Sequence, residues 1–287
     1  MKAQEILSGE NRTFRMFEML FRGQGIKRHG LALLSGPKQV KEILQDFPDR
    51  CAGLILRRDQ DVFDYILPDS IRRYHLAAPL FRKIDIYGTN QPILLVHTEG
   101  LPIWNPDDWP KGCTLFVPFQ DPVNVGSVIR SAAAFGVTRV VLLKEAAHPF
   151  HHKSTRVAGS TLFRVPIFEG PSIRGLRRMK APLIALSPEG EDAGKFTFPP
   201  AFGLMPGVEG PGVPEGLKRD LVLSIPMQPG VESLNASLAT GIALYLWRRG
   251  LPESPDEQAT GDMAGPVGHR RRHREPRKEK NGGPLAP

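Results

Sequence analysis

Short, wholly apolar runs alternate with helix-length segments through the second half of this chain, and that alternation restricts its fold more than any other feature. The pattern predicts strands at Thr114–Pro118, Arg139–Leu143, Leu183–Leu186, Ala201–Met205 and Leu221–Ile225. It predicts helices at Val125–Phe135, Ile173–Met179 and Ser233–Arg249. Strands apolar on both faces belong in a parallel sheet covered by helices on both sides. Ligands of such sheets gather where the strands end at their carboxyl termini. The expected fold class is therefore α/β with a mainly parallel sheet over residues 113–250.

The first half reads as a smaller α/β domain over residues 1–97, with strands at Leu31–Leu34, Gly53–Leu56 and Ile93–Val96 and a helix at Lys38–Leu44. Three prolines, two glycines and an Asp-Asp pair make residues 98–112 a linker between the two. From Leu251 onward there is no aromatic residue and 11 positions are Gly or Pro. Residues 251–287 are therefore expected as a disordered basic tail. The net charge of +8 divides into +4 over residues 1–96, +3 over 97–250 and +1 beyond, so the excess is spread over the body. A polyanion such as nucleic acid is a suitable partner. No apolar run reaches eighteen residues and the first twelve lack an apolar core, so neither a membrane span nor secretion is expected. Two cysteines, Cys51 and Cys113, exclude a disulfide scaffold and suit the cytoplasm. His148, His151 and His152 lack a nearby cysteine, which favours a solvated turn over a metal site.

Three loops carry unusual chemistry. After the first strand of the parallel sheet, Asn124 is placed to cap a helix, with Gly126 open to close approach and Arg130 further along. Asn124 and Arg130 are six residues apart, about 600° of helical rotation, so they are not stacked but can border one pocket. The second loop, Met205 to Glu215, sets Glu209 among Gly207, Gly210 and Gly212; it is neither a dinucleotide fingerprint nor a P-loop. The third runs from Ile225 through Met227 and a proline-rich turn to Ser233, expected as a helix cap, and Asn235 in the first turn. Leu234, Leu238, Ile242 and Tyr245 or Leu246 form a stripe suited to a core or a subunit interface.

In combination, N-V-G-S-V-I-R-S-A-A-A-F-G, G-V-E-G-P-G and I-P-M-x-P-G-V-E-S-L-N-A-S-L-A resemble the SpoU (TrmH-like) ribose methyltransferases of the SPOUT class across residues 121–245. Residues 10–96 resemble that family's L30e-like substrate-binding domain more loosely. The resemblance implies a deep trefoil knot, an exception to the rule against knotted chains. It implies S-adenosylmethionine-dependent methylation of an RNA ribose 2′-hydroxyl, with rRNA favoured over tRNA, by a homodimer joined through the knot domain. By position, Arg130 would be catalytic, supported by Asn124, with Glu209, Ser233 and Asn235 completing the site. Gly207, Ile225, Met227 and Leu234 would hold the cofactor. Arg156 would face RNA, though K-S-T-R-V-A-G-S departs from the family's usual Arg-x-Ser-x-Gly order. Arg57, Arg58, Arg72 and Arg73 are further RNA contacts to consider, and no metal is expected. The competing reading is a non-catalytic RNA-binding protein that keeps the fold.

Overall fold

The computed structural model describes residues 3–60, 71–98, 100–176, 179–208, 212 and 219–251. The N-terminal part contains β1 (Ala3–Ile6), α1 (Arg12–Met19), α2 (Gly23–His29), β2 (Leu31–Leu34), α3 (Pro37–Asp46), β3 (Cys51–Arg57), β4 (Arg72–Leu76), α4 (Ala78–Ile84) and β5 (Ile93–His97). Its five strands are ordered β1-β4-β3-β5-β2, with β1, β4 and β3 parallel and β5 antiparallel to both neighbours. The C-terminal part contains β6 (Gly112–Val117), α5 (Pro122–Ala134), β7 (Arg139–Leu142), α6 (His152–Ala158), β8 (Ile167–Glu169), β9 (Leu183–Asp192), β10 (Ala201–Pro206), β11 (Leu221–Ser224) and α7 (Ala236–Arg249). Its six strands are ordered β11-β9-β10-β6-β7-β8, and every pairing is parallel.

Alternation along these strands sends side chains to two faces. On β6, Cys113, Leu115 and Val117 join the core beneath α5 and α7, whereas Phe116 packs on the opposite face against Trp104, Val141 and Met205. The first of these cores continues into the N-terminal sheet through Leu34, Val40, Leu54 and Val96. Within the stretch 98–112, expected as a linker, Ile103 and Trp104 run beside the edge strand β8: Trp104 is buried, and its amide donates to the Glu169 carbonyl at 2.8 Å. Both cysteines are free and buried, and burial pushes the Cys51 thiol up to about 11 and the Cys113 thiol higher still.

Three expectations are corrected, and on α7 a pair of alternatives is narrowed. The helix expected over Ile173–Met179 is a single 3-10 turn, Ile173–Gly175; its first amide is taken by the Glu145 carboxylate, and Leu176 is extended. The strand expected to stop at Leu186 runs to Asp192, because β11 shifts register and pairs again with Glu191 and Asp192 after skipping the intervening residues. On α7 the buried residues are Ser237, Thr240, Ala243, Leu244 and Trp247, while Leu238 and Tyr245 of the expected stripe are 54% and 51% exposed. The two helix caps also move, as described below. Among the described residues, no helix is long and apolar enough to cross a membrane.

Candidate functional site

The turn after β6 sets the first wall of the site. Asp121 caps α5, its Oδ1 accepting the Val123 amide at 2.9 Å. Pro122 takes the first helical position, where a missing N–H costs nothing. The cap therefore lies at Asp121 and not at Asn124, which is buried in the first turn. One turn along, a Cβ on Gly126 would stand 2.4 Å from the Ser154 carbonyl oxygen. Only glycine allows α5 and α6 this approach, and the Ser154 hydroxyl reinforces it by donating to the Pro122 carbonyl at 2.7 Å.

The second wall is the start of α7. Its cap is Asn235 and not Ser233: Asn235 Oδ1 accepts the amides of Ser237 at 3.0 Å and Leu238 at 3.1 Å. Such a cap contributes about 1 kcal/mol. It also settles which way the amide points, because only the oxygen can accept from the helix end. Asn235 Nδ2 is thereby directed at Asn124 Oδ1, 3.1 Å away. The buried Ser237 hydroxyl stands between the two amides, 2.7 Å from Asn235 Oδ1 and 3.1 Å from Asn124 Oδ1. The cap of one helix thus fixes the orientation of a buried amide on another. Sequence reasoning missed Ser237, since a serine inside a helical pattern carries no signal of its own.

A cavity of about 340 Å³ opens beside this amide pair, where β10 and β11 end and β9 passes. Leu186, Ser187 and Pro188 line it from within β9, Pro206, Gly207, Val208 and Gly212 from the end of β10 onward, and Leu223, Ile225 and Met227 at and after β11. Ser233, Leu234, Asn235, Ala236 and Ala239 close it from the α7 side. The loop after β10 folds back on itself, with Val208 and Gly212 exchanging both backbone hydrogen bonds at 2.9 Å. Gly212 has φ +70, a conformation that suits glycine. All four residues expected to hold a cofactor, Gly207, Ile225, Met227 and Leu234, face this one cavity, as do Ser233 and Asn235. Glu209 lies outside the described residues. Apolar side chains dominate the wall, and the backbone of a glycine-bearing loop borders it. Those features suit a flat heteroaromatic ligand with hydrogen-bonding edges.

Arg130 is placed elsewhere. It is exposed, does not line the cavity, and donates from Nη1 to the Val157 carbonyl of α6 at 3.2 Å. Arg156, expected to face RNA, has its guanidinium 5.1 Å over the Tyr87 ring, with Nη1 3.5 Å from the Ser35 carbonyl. The four other arginines do not form one patch. Register pairs Gly53 with Arg72 and Arg57 with Leu76 on parallel strands. Arg57-Arg58 and Arg72-Arg73 therefore sit near opposite ends of the N-terminal sheet, about 13 Å apart at 3.3 Å per residue. Arg57 pairs with Asp59 at 2.5 Å and Arg58 with Glu5 at 3.5 Å. Arg72 is exposed, and among the described residues the buried Arg73 Nε has no hydrogen-bond partner.

Among the described residues, no group of His, Cys, Asp and Glu could hold a metal ion. The three histidines do not form a solvated turn. His148 Nδ1 accepts the Phe150 amide at 3.2 Å, and His151 Nδ1 caps α6 by accepting the Lys153 amide at 3.3 Å. His152 packs edge-on to Phe21 and lies 3.2 Å from the Tyr87 hydroxyl. Burial, and then the charge of Lys27, holds His148 down at about 4; burial and its neighbours His151 and Lys153 do the same to His152.

Known proteins resemble this chain in sequence and in fold. Residues 114–245 match the SpoU rRNA Methylase family. The Syntrophobacter fumaroxidans protein called "Ribosomal RNA small subunit methyltransferase G 2" is 43% identical over 247 residues, 86% of this chain and 49% of that protein. The chain thus spans about half the length of that relative. The Bacillus subtilis 23S rRNA (guanosine(2553)-2′-O)-methyltransferase RlmP is 26% identical over 258 residues, 84% of this chain and 98% of that one. In fold, the crystal structure of an AdoMet-bound rRNA methyltransferase from Sinorhizobium meliloti superposes with a TM-score of 0.72 over 88% of this chain and 99% of that one, at 22% identity.

Proposed function

We propose that this chain, whose residues 114–245 match the SpoU rRNA Methylase family, transfers the methyl group of S-adenosylmethionine to a ribose 2′-hydroxyl of structured RNA, with rRNA the first choice. One observation carries the proposal. Gly207, Ile225, Met227, Leu234, Ser233 and Asn235, drawn from two separate loops, converge on a single cavity at the carboxyl ends of parallel strands. The same reading makes the loops around that cavity a trefoil knot, residues 1–97 an RNA-binding domain of L30e type, and the exposed face of α7 a contact between two copies. Val123, Leu238 and Tyr245, each more than 40% exposed, support the last of these.

The cavity fits the donor. Ile225, Met227 and Leu234 would pack against its adenosine, while backbone groups near Gly207 would meet the polar edges of the base. The bound donor supplies an electrophilic methyl on a sulfonium, so the protein is left with alignment and one proton. Asn124 and Asn235, held rigid by the α7 cap, orient groups at the cavity rim. A guanidinium carries a fixed positive charge in ordinary surroundings. The role of Arg130 is to hold the phosphate and hydroxyl of the target nucleotide, and its charge favours the alkoxide as the hydroxyl proton passes to solvent water. Calorimetric titration with S-adenosylmethionine, followed by mapping of 2′-O-methyl groups in rRNA from cells lacking the protein, tests the proposal. Donor binding together with loss of one ribose methylation is expected; a purified protein that takes up no donor overturns it.

A further inference from the structure

Helix α6 is gripped from two sides, and the two grips serve different parts of the chain. Toward α5, its Val157 carbonyl holds the Arg130 guanidinium at 3.2 Å. Toward the N-terminal sheet, the neighbouring residue Arg156 is held through both its side chain and its backbone. Its guanidinium lies over the Tyr87 ring and meets the Ser35 carbonyl, while its own carbonyl accepts from Gln39 Nε2 at 3.1 Å. The Tyr87 hydroxyl reaches the first residue of α6, 3.2 Å from both His152 Nδ1 and the His152 carbonyl oxygen.

The junction is built for close approach. A Cβ on Gly36 would stand 2.2 Å from Gln39 Oε1 and 2.8 Å from Arg156 Nη1, and one on Gly159 would stand 3.1 Å from Gln39 Cγ. Both glycines have positive φ, +119 and +59, so a side chain is opposed by backbone conformation as well as by space.

We infer that Gln39 and Tyr87 of the N-terminal part are positioning residues for methyl transfer: by clasping Arg156 they fix α6, and through the Val157 carbonyl they fix the reach of Arg130. This deepens the proposed function and rests on its reading of Arg130. The physical reason is leverage. A seven-residue helix has too few internal hydrogen bonds to hold its own place. The site of its carbonyls is set by what packs against it. An arginine side chain has four rotatable bonds, and anchoring one of its five donors leaves the others directed as a group. In this arrangement Arg156 serves as a structural pin facing the N-terminal sheet, and the N-terminal part acts on the rate of transfer as well as on RNA capture.

The experiment uses the whole chain with S-adenosylmethionine and its RNA, comparing Gln39→Ala, Tyr87→Ala, Tyr87→Phe and Arg130→Ala with the unaltered protein. Gln39→Ala and Tyr87→Ala are each expected to lower kcat by about five- to tenfold, with donor Kd and RNA KM within about twofold. Tyr87→Phe, which keeps the ring beneath the guanidinium, should recover most of the rate. Unchanged kcat in Gln39→Ala and Tyr87→Ala overturns the inference. So does a loss confined to RNA KM, which would make Arg156 and its neighbours an RNA contact. Arg130→Ala separates the two levels: an active Arg130→Ala removes the underlying reading of Arg130, whereas an inactive one beside fully active Gln39→Ala and Tyr87→Ala removes only the clasp. Gln39→Ala deletes a partly exposed side chain, and its melting temperature should match that of the unaltered protein.

Discussion

The two sheets of this protein differ in the property that makes a ligand site. In the C-terminal sheet all five pairings are parallel, so the strands point to one edge, and the segments after β6, β10 and β11 meet there beside the middle of β9. In the N-terminal sheet β5 is antiparallel to both of its neighbours, and loops leave from both edges. Four separate stretches between Leu186 and Ala239 gather at one cavity in the first case. In the second, Arg57-Arg58 and Arg72-Arg73, closer in sequence, come to lie near opposite ends. Proximity in sequence is a poor guide to shared function; the direction of the strands decides.

The sharpest way to break this comparison is to remove the residue on which the convergent edge depends and that yet stands off the cavity wall. Arg130→Ala is expected to lower kcat/KM by about a thousandfold, the scale of losing a charged group that acts in the transition state. Donor affinity should stay within about twofold, since Arg130 does not line the cavity. Methylation kinetics and donor calorimetry on the same preparation check both parts. Near-normal turnover would show that the strand-end cavity works without the guanidinium.

Asn235→Asp separates folding from chemistry at the same edge. The aspartate keeps an oxygen for the amides of Ser237 and Leu238, so the cap of α7 survives. It loses the Nδ2 donor and sets an oxygen against Asn124 Oδ1, 3.1 Å away in the unaltered pair. Transfer should fall by about ten- to a hundredfold while the melting temperature moves by only a few degrees, consistent with one buried hydrogen bond lost. Asn235→Ala, which loses the cap as well, should be less stable than Asn235→Asp by about 1 kcal/mol in denaturant melts.

What the sequence made legible follows the same division. The parallel strands were readable because a strand buried on both faces is mostly apolar: β10 is so throughout, and β6 and β7 depart from it only at Thr114 and Arg139. Their convergence was readable in turn, as a consequence of being parallel. The helix starts were misplaced by two or three residues because Asp121 and Asn124, like Ser233 and Asn235, are both capping types; only the backbone decides between them. The core face of α7 was not legible because three of its five buried residues, Ser237, Thr240 and Ala243, carry no strong apolar signal beside Leu244 and Trp247; Leu238 and Tyr245 of the apolar stripe stay exposed, which leaves the stripe to its other reading, a subunit interface. The polar second half of β9 was lost because its pairing resumes after a register shift that no alternation encodes. The clasp on α6 was invisible for a different reason: Gln39, Tyr87 and Arg156 are far apart in the chain, and none belongs to a pattern.

The histidines at the junction of α6 with the N-terminal part give a milder test, one of stability. His148 and His152 are held at about 4 in the folded chain against about 6.5 when unfolded. Below pH 6.5 the unfolded state therefore binds more protons, and stability falls as pH drops toward 4. The half-buried His148 alone accounts for at most about 3.4 kcal/mol across that window, less what solvent screening removes. Above pH 7 these groups contribute no pH dependence. Melts from pH 8 to pH 4 should show the slope, and His148→Gln should flatten part of it; an unchanged slope in that variant would assign the acid sensitivity to other groups.

The smallest expected effects belong to the divergent sheet, and they sharpen the comparison most directly. If its two ends act separately, charge reversal at one arginine pair should weaken RNA binding and reversal at the other should not. Arg72 is exposed at one end, whereas Arg57 and Arg58 are already paired with Asp59 and Glu5 at the other. An arginine that has a carboxylate partner must surrender it to meet a phosphate, so its net gain on RNA is lower. Arg72→Glu is thus expected to raise RNA Kd by about three- to tenfold and to reduce the salt dependence of binding by roughly one ion, while Arg58→Glu changes Kd by less than about twofold. Filter binding across a salt series distinguishes the two. Equal losses from both variants would mean that RNA spans the whole N-terminal sheet, and the opposite ends would then be two contacts of one continuous surface.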